Sequence, residues 1–226
     1  MPKALAALVT IIALGVGAYL LFTNRPADTG TLATSTPTQT MGIATTTVSE
    51  EADLYKIDVA YPHFGVAEID ASIDTAIQAD IAQFKGEAVA IDYLPTAKYE
   101  MIGQFDTTTI SDQVVSARLV VSRYTGGAHP NATVVGLNFN PKTRIAYSMD
   151  DALALIGMDL QQLSGEAKRQ LNLDAGDWIQ FPEGADPTRE NYATYVIGER
   201  EVIFYFQQYQ VAPYAAGILD ISVPRK

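Results

Sequence analysis

The chain has 226 residues, 48% of them apolar, and 26 acidic against 15 basic side chains give a net charge of −11. That is enough apolar surface for a core, so wholesale disorder is excluded, and the length allows one large domain or two small ones. Cysteine is absent, which removes disulfides, a thiol nucleophile and CxxC zinc sites. The two histidines, His63 and His129, leave little for a histidine-rich metal centre, and no cofactor is expected. The acidic balance argues against nucleic acid, whose phosphates require Lys and Arg.

Residues 1–22 read as an N-terminal membrane anchor. Ala4 to Phe22 is a run of 19 residues without a charge, about 28 Å as a helix and close to the roughly 30 Å hydrocarbon core. Lys3 precedes it, so the N-terminus is expected inside and the rest of the chain outside the cytoplasm. The rival reading is a cleaved signal peptide. Tyr19-Leu20-Leu21-Phe22 is bulky where a cleavage site needs small residues.

Residues 23–52 read as a flexible tether. Ten of the 27 residues from Thr23 to Ser49 are threonine, with Pro26, Pro37, Gly30 and Gly42 and no aromatic. Such a segment buries too little apolar surface to offset its ordering entropy. Its reach would be on the order of 30 Å.

The remaining 53–226 are expected to form the soluble part, an α+β domain with an N-terminal half over about 53–139 and a C-terminal half over about 140–226. Leu54 to Tyr61 alternates with a period of two and reads as a strand ended by Pro62. From Val66 the step changes to three and four. Ile69, Ile73, Ile77, Ile81, Phe84 and Ala88 then fall on one face of a long amphipathic helix. Lys98–Thr109, Val114–Tyr124 and Ala132–Phe139 read as an antiparallel meander. In the last of these, Val134, Gly136 and Asn138 lie opposite Val135, Leu137 and Phe139.

Asn140-Pro141-Lys142-Thr143 is a turn, and Arg144 to Tyr147 a short return strand. Ser148 and Asp151 make a capping pair for a helix, which accounts for the acidic pair Asp150-Asp151 without chemistry. Leu160 to Leu173 is a second short helix. Asp174 to Asn191 reads as loop, with Trp178 expected as a core plug. Tyr192–Ile197 and Val202–Phe206 form a hairpin around Gly198-Glu199-Arg200-Glu201, and Ile218–Val223 closes the sheet. Segregated strands and helices favour a mostly antiparallel α+β sheet with one long and two shorter helices.

Two stretches invite function. Tyr124-Thr125-Gly126-Gly127-Ala128-His129-Pro130-Asn131 joins two strands, and its glycines permit positive φ and close backbone approach. His129 there could fasten the loop, recognise a ligand, or act as a general acid/base. The last role needs a nucleophile and an orienting acid, and no GxSxG or HExxH pattern accompanies it. Gln207 to Gly217 carries Tyr209, Pro213 and Tyr214 among amides and small residues, a composition suited to carbohydrate or protein recognition or to a packed crossover.

Taken in order, the Tyr124–Asn131 loop, Asn138-Phe139-Asn140, Ser148-Met149-Asp150-Asp151 and Gln208-Tyr209-Gln210-Val211-Ala212-Pro213-Tyr214-Ala215-Ala216-Gly217 resemble a bacterial extracytoplasmic domain family. That family occurs in the lysozyme-responsive membrane anti-sigma factor and in the N-terminal non-catalytic region of a peptidoglycan deacetylase. The resemblance covers about Asp53 to Pro224. It implies an α+β envelope domain that binds rather than hydrolyses, with a cationic wall-acting protein such as lysozyme, or a peptidoglycan fragment, as partner. Only Met1-Pro2-Lys3 precede the apolar run, so sigma-factor sequestration is not expected. The candidate ligand-binding residues are Tyr124, Gly126, Gly127, His129, Asn131, Tyr209, Pro213 and Tyr214; no metal or catalytic residue is assigned. The alternatives are an envelope enzyme acting on wall glycan through His129, or a passive spacer.

Overall fold

The computed structural model describes residues 41–90 and 97–226. The anchor expected over 4–22 and the first part of the tether lie outside them. Among the described residues no helix is long and apolar enough to cross a membrane.

The isoleucine stripe forms α1 (Ala67–Val89), with Ile69, Ile73, Ile77, Ile81, Phe84 and Ala88 all buried. Its first turn has no side-chain cap at Val66; instead the Asp70 carboxylate accepts the Phe64 N–H at 2.7 Å and the Gly65 N–H at 3.1 Å. Two carboxylates, Glu68 and Asp70, at the positive helix end add to this. Each fully buried isoleucine contributes roughly 1.5–3 kcal/mol, so the stripe fixes how α1 lies on its sheet.

That sheet has six strands in the order β1 (Ala44–Glu51), β2 (Tyr55–His63), β3 (Tyr99–Ile110), β4 (Val115–Tyr124), β5 (Asn131–Asn140) and β6 (Ile145–Ala146). All neighbours pair antiparallel except β2 and β3, which run parallel, α1 providing the crossover. The expected antiparallel meander is β3–β5; the parallel β2–β3 pair lies outside it. Pro62 does not end β2, which continues to His63 opposite Ala44. β3 pairs only with Tyr55–Val59, so one edge of β2 is open at Pro62, where a missing N–H is tolerated.

The tether also ends earlier than expected. Ala44–Glu51 is β1, paired along its whole length with β2. Threonine is polar but β-branched, and the run Thr45-Thr46-Thr47 suits a half-buried strand better than a coil.

A second sheet, β7 (Tyr195–Ile197), β8 (Glu201–Phe206) and β9 (Leu219–Pro224), is separate from the first; the expected single sheet is two. β7 starts at Tyr195, not Tyr192, whose ring is fully buried in a 3-10 turn. Two helices cover its outer face: α2 (Met149–Ile156) and α3 (Leu160–Asp174). Both begin with capping boxes, Ser148 with Asp151 and Asp159 with Gln162. Gly157 closes α2 at φ +62, a conformation that favours glycine.

The alternation in β4 and β5 places two cores back to back. Val115, Ala117, Leu119, Val121, Leu137 and Phe139 join the α1 core, while Val134 packs with Val196 and Tyr205 of the second sheet. Between the sheets, Ser116 donates to the Ile197 carbonyl at 2.7 Å. The Asn138 amide donates to the Tyr195 carbonyl and accepts the Ile197 N–H, both at 2.8 Å. At Gly136 the chains approach so closely that a Cβ would lie 1.7 Å from the Tyr195 oxygen. The layers run α1, six-stranded sheet, three-stranded sheet, α2 and α3.

Trp178 is not a core plug. It ends a 3-10 turn after α3 and is 51% exposed. The expected loop around it contains three such turns.

Candidate recognition site

The two stretches singled out in the sequence meet in space. His129 stacks on Tyr214, ring centroids 3.7 Å apart and planes inclined by 24°. Tyr209 lies against Tyr214 with centroids 5.9 Å apart. The Tyr214 hydroxyl donates to the Pro130 carbonyl at 3.0 Å, and His129 Nδ1 lies 3.1 Å from the same oxygen. His129 and Tyr209 are exposed, Tyr214 partly so.

The turn that presents Tyr209 is held by three glutamines. Gln207 accepts the Val134 N–H at 2.9 Å and donates to the Val134 carbonyl at 2.8 Å, taking the place of a strand along the outer edge of β5. Gln208 accepts the Ala132 N–H at 2.9 Å. Gln210 accepts the Gln207 N–H and donates to the carbonyls of Gly184 and Asn191. Inside this frame Tyr209 adopts φ +66, a left-handed conformation that costs a non-glycine residue of order 1 kcal/mol. Surrounding bonds over-determine the turn and hold the ring outward.

The other candidates fall around this platform. Tyr124 ends β4, and its hydroxyl donates to the Gly127 carbonyl at 3.2 Å. Gly126 and Gly127 take φ +88 and +113, bending the loop that carries His129. Asn131 opens β5, exposed and in register with Arg123. Pro213 leads the 3-10 turn Tyr214–Ala216 and accepts the Ala216 N–H. Below the loop, Arg123 pairs with Asp80 of α1. Burial pushes the Asp80 carboxyl up, and the Arg123 charge opposes that shift.

The geometry gives His129 a ring and a carbonyl oxygen as neighbours. Among the described residues its contacts include no ion pair with a carboxylate, and the histidine that has one is His63. The acid/base reading gains nothing from this arrangement. The sequence reading missed Pro130 as the common acceptor and the glutamines as the frame; the clustering of Gln207, Gln208 and Gln210 was their only signal.

A second polar cluster fastens β1 to α1. His63 Nε2 lies 2.8 Å from Asp74 Oδ1, His63 Nδ1 lies 3.2 Å from Thr46 Oγ1, and the Tyr61 hydroxyl donates to Asp74 at 2.9 Å. Farther along, Glu50 accepts from Tyr55 and Lys85.

Comparison with known families matches two separate stretches of the chain. Residues 48–132 match the family described as deacetylase PdaC, and residues 155–226 match the protein family of unknown function DUF3298. One stretch is thus similar to the PdaC family and the other to DUF3298. The peptidoglycan-N-acetylmuramic acid deacetylase PdaC of Bacillus subtilis (strain 168) is 25% identical over 195 residues, 84% of this chain and 42% of that protein. The chain thus spans about two fifths of that relative's length. A DUF3298 protein of Bacteroides fragilis NCTC 9343 superposes with a TM-score of 0.56 at 17% identity, covering 83% of this chain and 91% of its own. One from Pseudomonas aeruginosa PAO1 gives 0.55 at 14%, covering 82% and 91%. At these identities the fold is what is shared. The platform draws on both stretches, Tyr124, His129 and Asn131 from the one similar to PdaC and Tyr209, Pro213 and Tyr214 from the one similar to DUF3298.

Proposed function

We propose that the chain is a non-catalytic recognition module of the cell envelope, anchored by residues 4–22, and that the Tyr209–Tyr214–His129 platform binds a peptidoglycan fragment. The observation that carries this reading is Tyr209, held at φ +66 and 46% exposed by three glutamine side chains. A ring displayed at a conformational cost and fixed by half-buried amides is prepared for a partner. Sugar rings offer apolar C–H faces that lie on aromatic rings, and hydroxyls that pair with nearby carbonyls and amides. The Bacillus relative is a deacetylase of peptidoglycan, which supports the choice of ligand.

A second reading has one observation in its favour. The net charge of −11 steers cationic proteins toward the surface, so a wall-acting cationic protein such as lysozyme could occupy the same platform. Calorimetric titration of the full chain with soluble muropeptides and with lysozyme, at two salt concentrations, separates these. Saturable muropeptide binding that changes little with salt supports the glycan reading. Lysozyme binding alone, weakened by salt, supports the second, and binding of neither removes both.

A further inference from the structure

Away from the platform, the C-terminal end of α3 has an unusual composition. The buried stripe of α3 is Leu163, Ser164, Ala167 and Leu171. Leu173 lies off that stripe and is 72% exposed. Trp178 follows it after one tight turn, and it is the single tryptophan of the chain. Its backbone is fixed: Trp178 N–H donates to the Ala175 carbonyl at 2.9 Å and Ile179 N–H to that of Gly176 at 3.1 Å. Gln180 and Phe181 then both donate to the Val211 carbonyl. Leaving a tryptophan half in water on an ordered turn forfeits burial that most folds use.

The charges there are also the reverse of what the helix requires. A helix C-terminus is negative and favours Lys, Arg or His. The last turn of α3 has no basic residue and ends on Asp174, with Asp177 in the following turn. Neither acid has an ion-pair contact among the described residues. Arg169, one turn earlier, is engaged by Glu166 in two bonds, at 2.8 and 2.5 Å. Asp220 of β9 belongs to the same field: burial pushes its carboxyl up, Arg118 opposes this, and Asp174 and Glu201 add to it. Arg169, already bonded to Glu166, is the cation that acts on Asp174, so two exposed apolar side chains and two acids at this helix end leave room for a further cation and an apolar cover.

We infer that Leu173, Trp178, Asp174 and Asp177 form a docking surface for a basic amphipathic peptide segment, separate from the aromatic platform. Leucine or aromatic side chains of the segment would cover Leu173 and Trp178, the kind of residue that anchors interfaces. Its Lys or Arg would meet the two aspartates and the carbonyl end of α3. Charge complementarity decides the occupant: an anionic lipid surface meets repulsion, and a second copy of this acidic chain brings the same charges.

Because Trp178 is the only tryptophan, its emission reports on this surface alone. The test titrates the full chain with a synthetic peptide of alternating leucine and lysine, and with its glutamate counterpart. The expected result is a saturable blue shift with the lysine peptide only. Raising salt from about 0.05 to about 0.3 M shortens the screening length and should weaken binding several-fold. Asp174→Asn with Asp177→Asn should weaken it about tenfold, while Tyr214→Ala leaves it unchanged. Trp178→Phe, followed by calorimetry, should bind within a few-fold of the parent. The inference is overturned by no shift and no heat, by equal binding of the glutamate peptide, or by unchanged affinity in the double aspartate variant. A shift produced instead by anionic vesicles, or by raising protein concentration alone, also overturns it.

Discussion

The imidazole of His129 and the phenol ring of Tyr214 stack face to face, and both side chains turn to the Pro130 carbonyl oxygen. One residue comes from the loop between β4 and β5 and the other from the segment between β8 and β9. The contact ties the two sheets together at the edge where Tyr209 is displayed, so the platform exists only when both sheets are in place.

Tyr209 separates stability from binding. Tyr209→Gly suits φ +66 and relieves left-handed strain, while it loosens the unfolded chain. The net change in stability should lie within about 1 kcal/mol of zero, measured by urea unfolding. Muropeptide affinity should fall about five- to tenfold, as expected for loss of one stacking ring. Equal affinity would show that the ring is not part of the site.

Gly136→Ala tests the packing of the sheets. Its Cβ would meet the Tyr195 oxygen at 1.7 Å and the Asn138 amide at 3.1 Å, and neither strand can retreat without breaking the Asn138 bonds. Destabilisation at or above the upper end of the roughly 1–3 kcal/mol of overpacking is expected. Chemical denaturation gives the number.

Asp74 accepts from Tyr61 and contacts His63. Asp74→Ala leaves both without that partner, at a cost of about 1–3 kcal/mol. Hydrogen exchange should rise first in Thr46–Val48 of β1, because His63 also reaches Thr46. Uniformly faster exchange across both sheets would contradict a local role.

Much of this arrangement was legible in the sequence. The isoleucine stripe of α1 and the two-faced alternation of β5 follow directly from side-chain period. The Ser148 cap was equally plain. Other features were hidden for identifiable reasons. A period of two is the same in parallel and antiparallel strands, so the β2–β3 pairing could not be read. β1 was concealed because a threonine run has coil-like polarity and strand-like stereochemistry. Trp178 was expected inside because large apolar residues usually are. The loops at Tyr124–Asn131 and Gln207–Gly217 stood out by composition, but their contact depends on two sheets packing through Gly136, which no local pattern encodes.

Alkaline pH should destabilise the chain in a defined window. Burial pushes the Tyr192 phenol up to about 12, and burial with the Asp74 hydrogen bond does the same for Tyr61. Both folded-state values exceed the ordinary value of 10.0, so the neutral phenol is favoured in the fold. Their contribution is intact below pH about 10 and is lost as pH rises toward about 12, by up to about 1.4 kcal/mol per unit for each group. Urea midpoints at several pH values should decline across this window, and Tyr192→Phe should flatten the decline.

The most direct test of the platform is calorimetric titration of soluble muropeptides into the full chain and into its Tyr209→Ala, Tyr214→Ala double variant, with circular dichroism to verify that both are folded. The account predicts saturable binding by the parent and a loss of at least about tenfold in the folded variant. Equal affinity in the two proteins would contradict it.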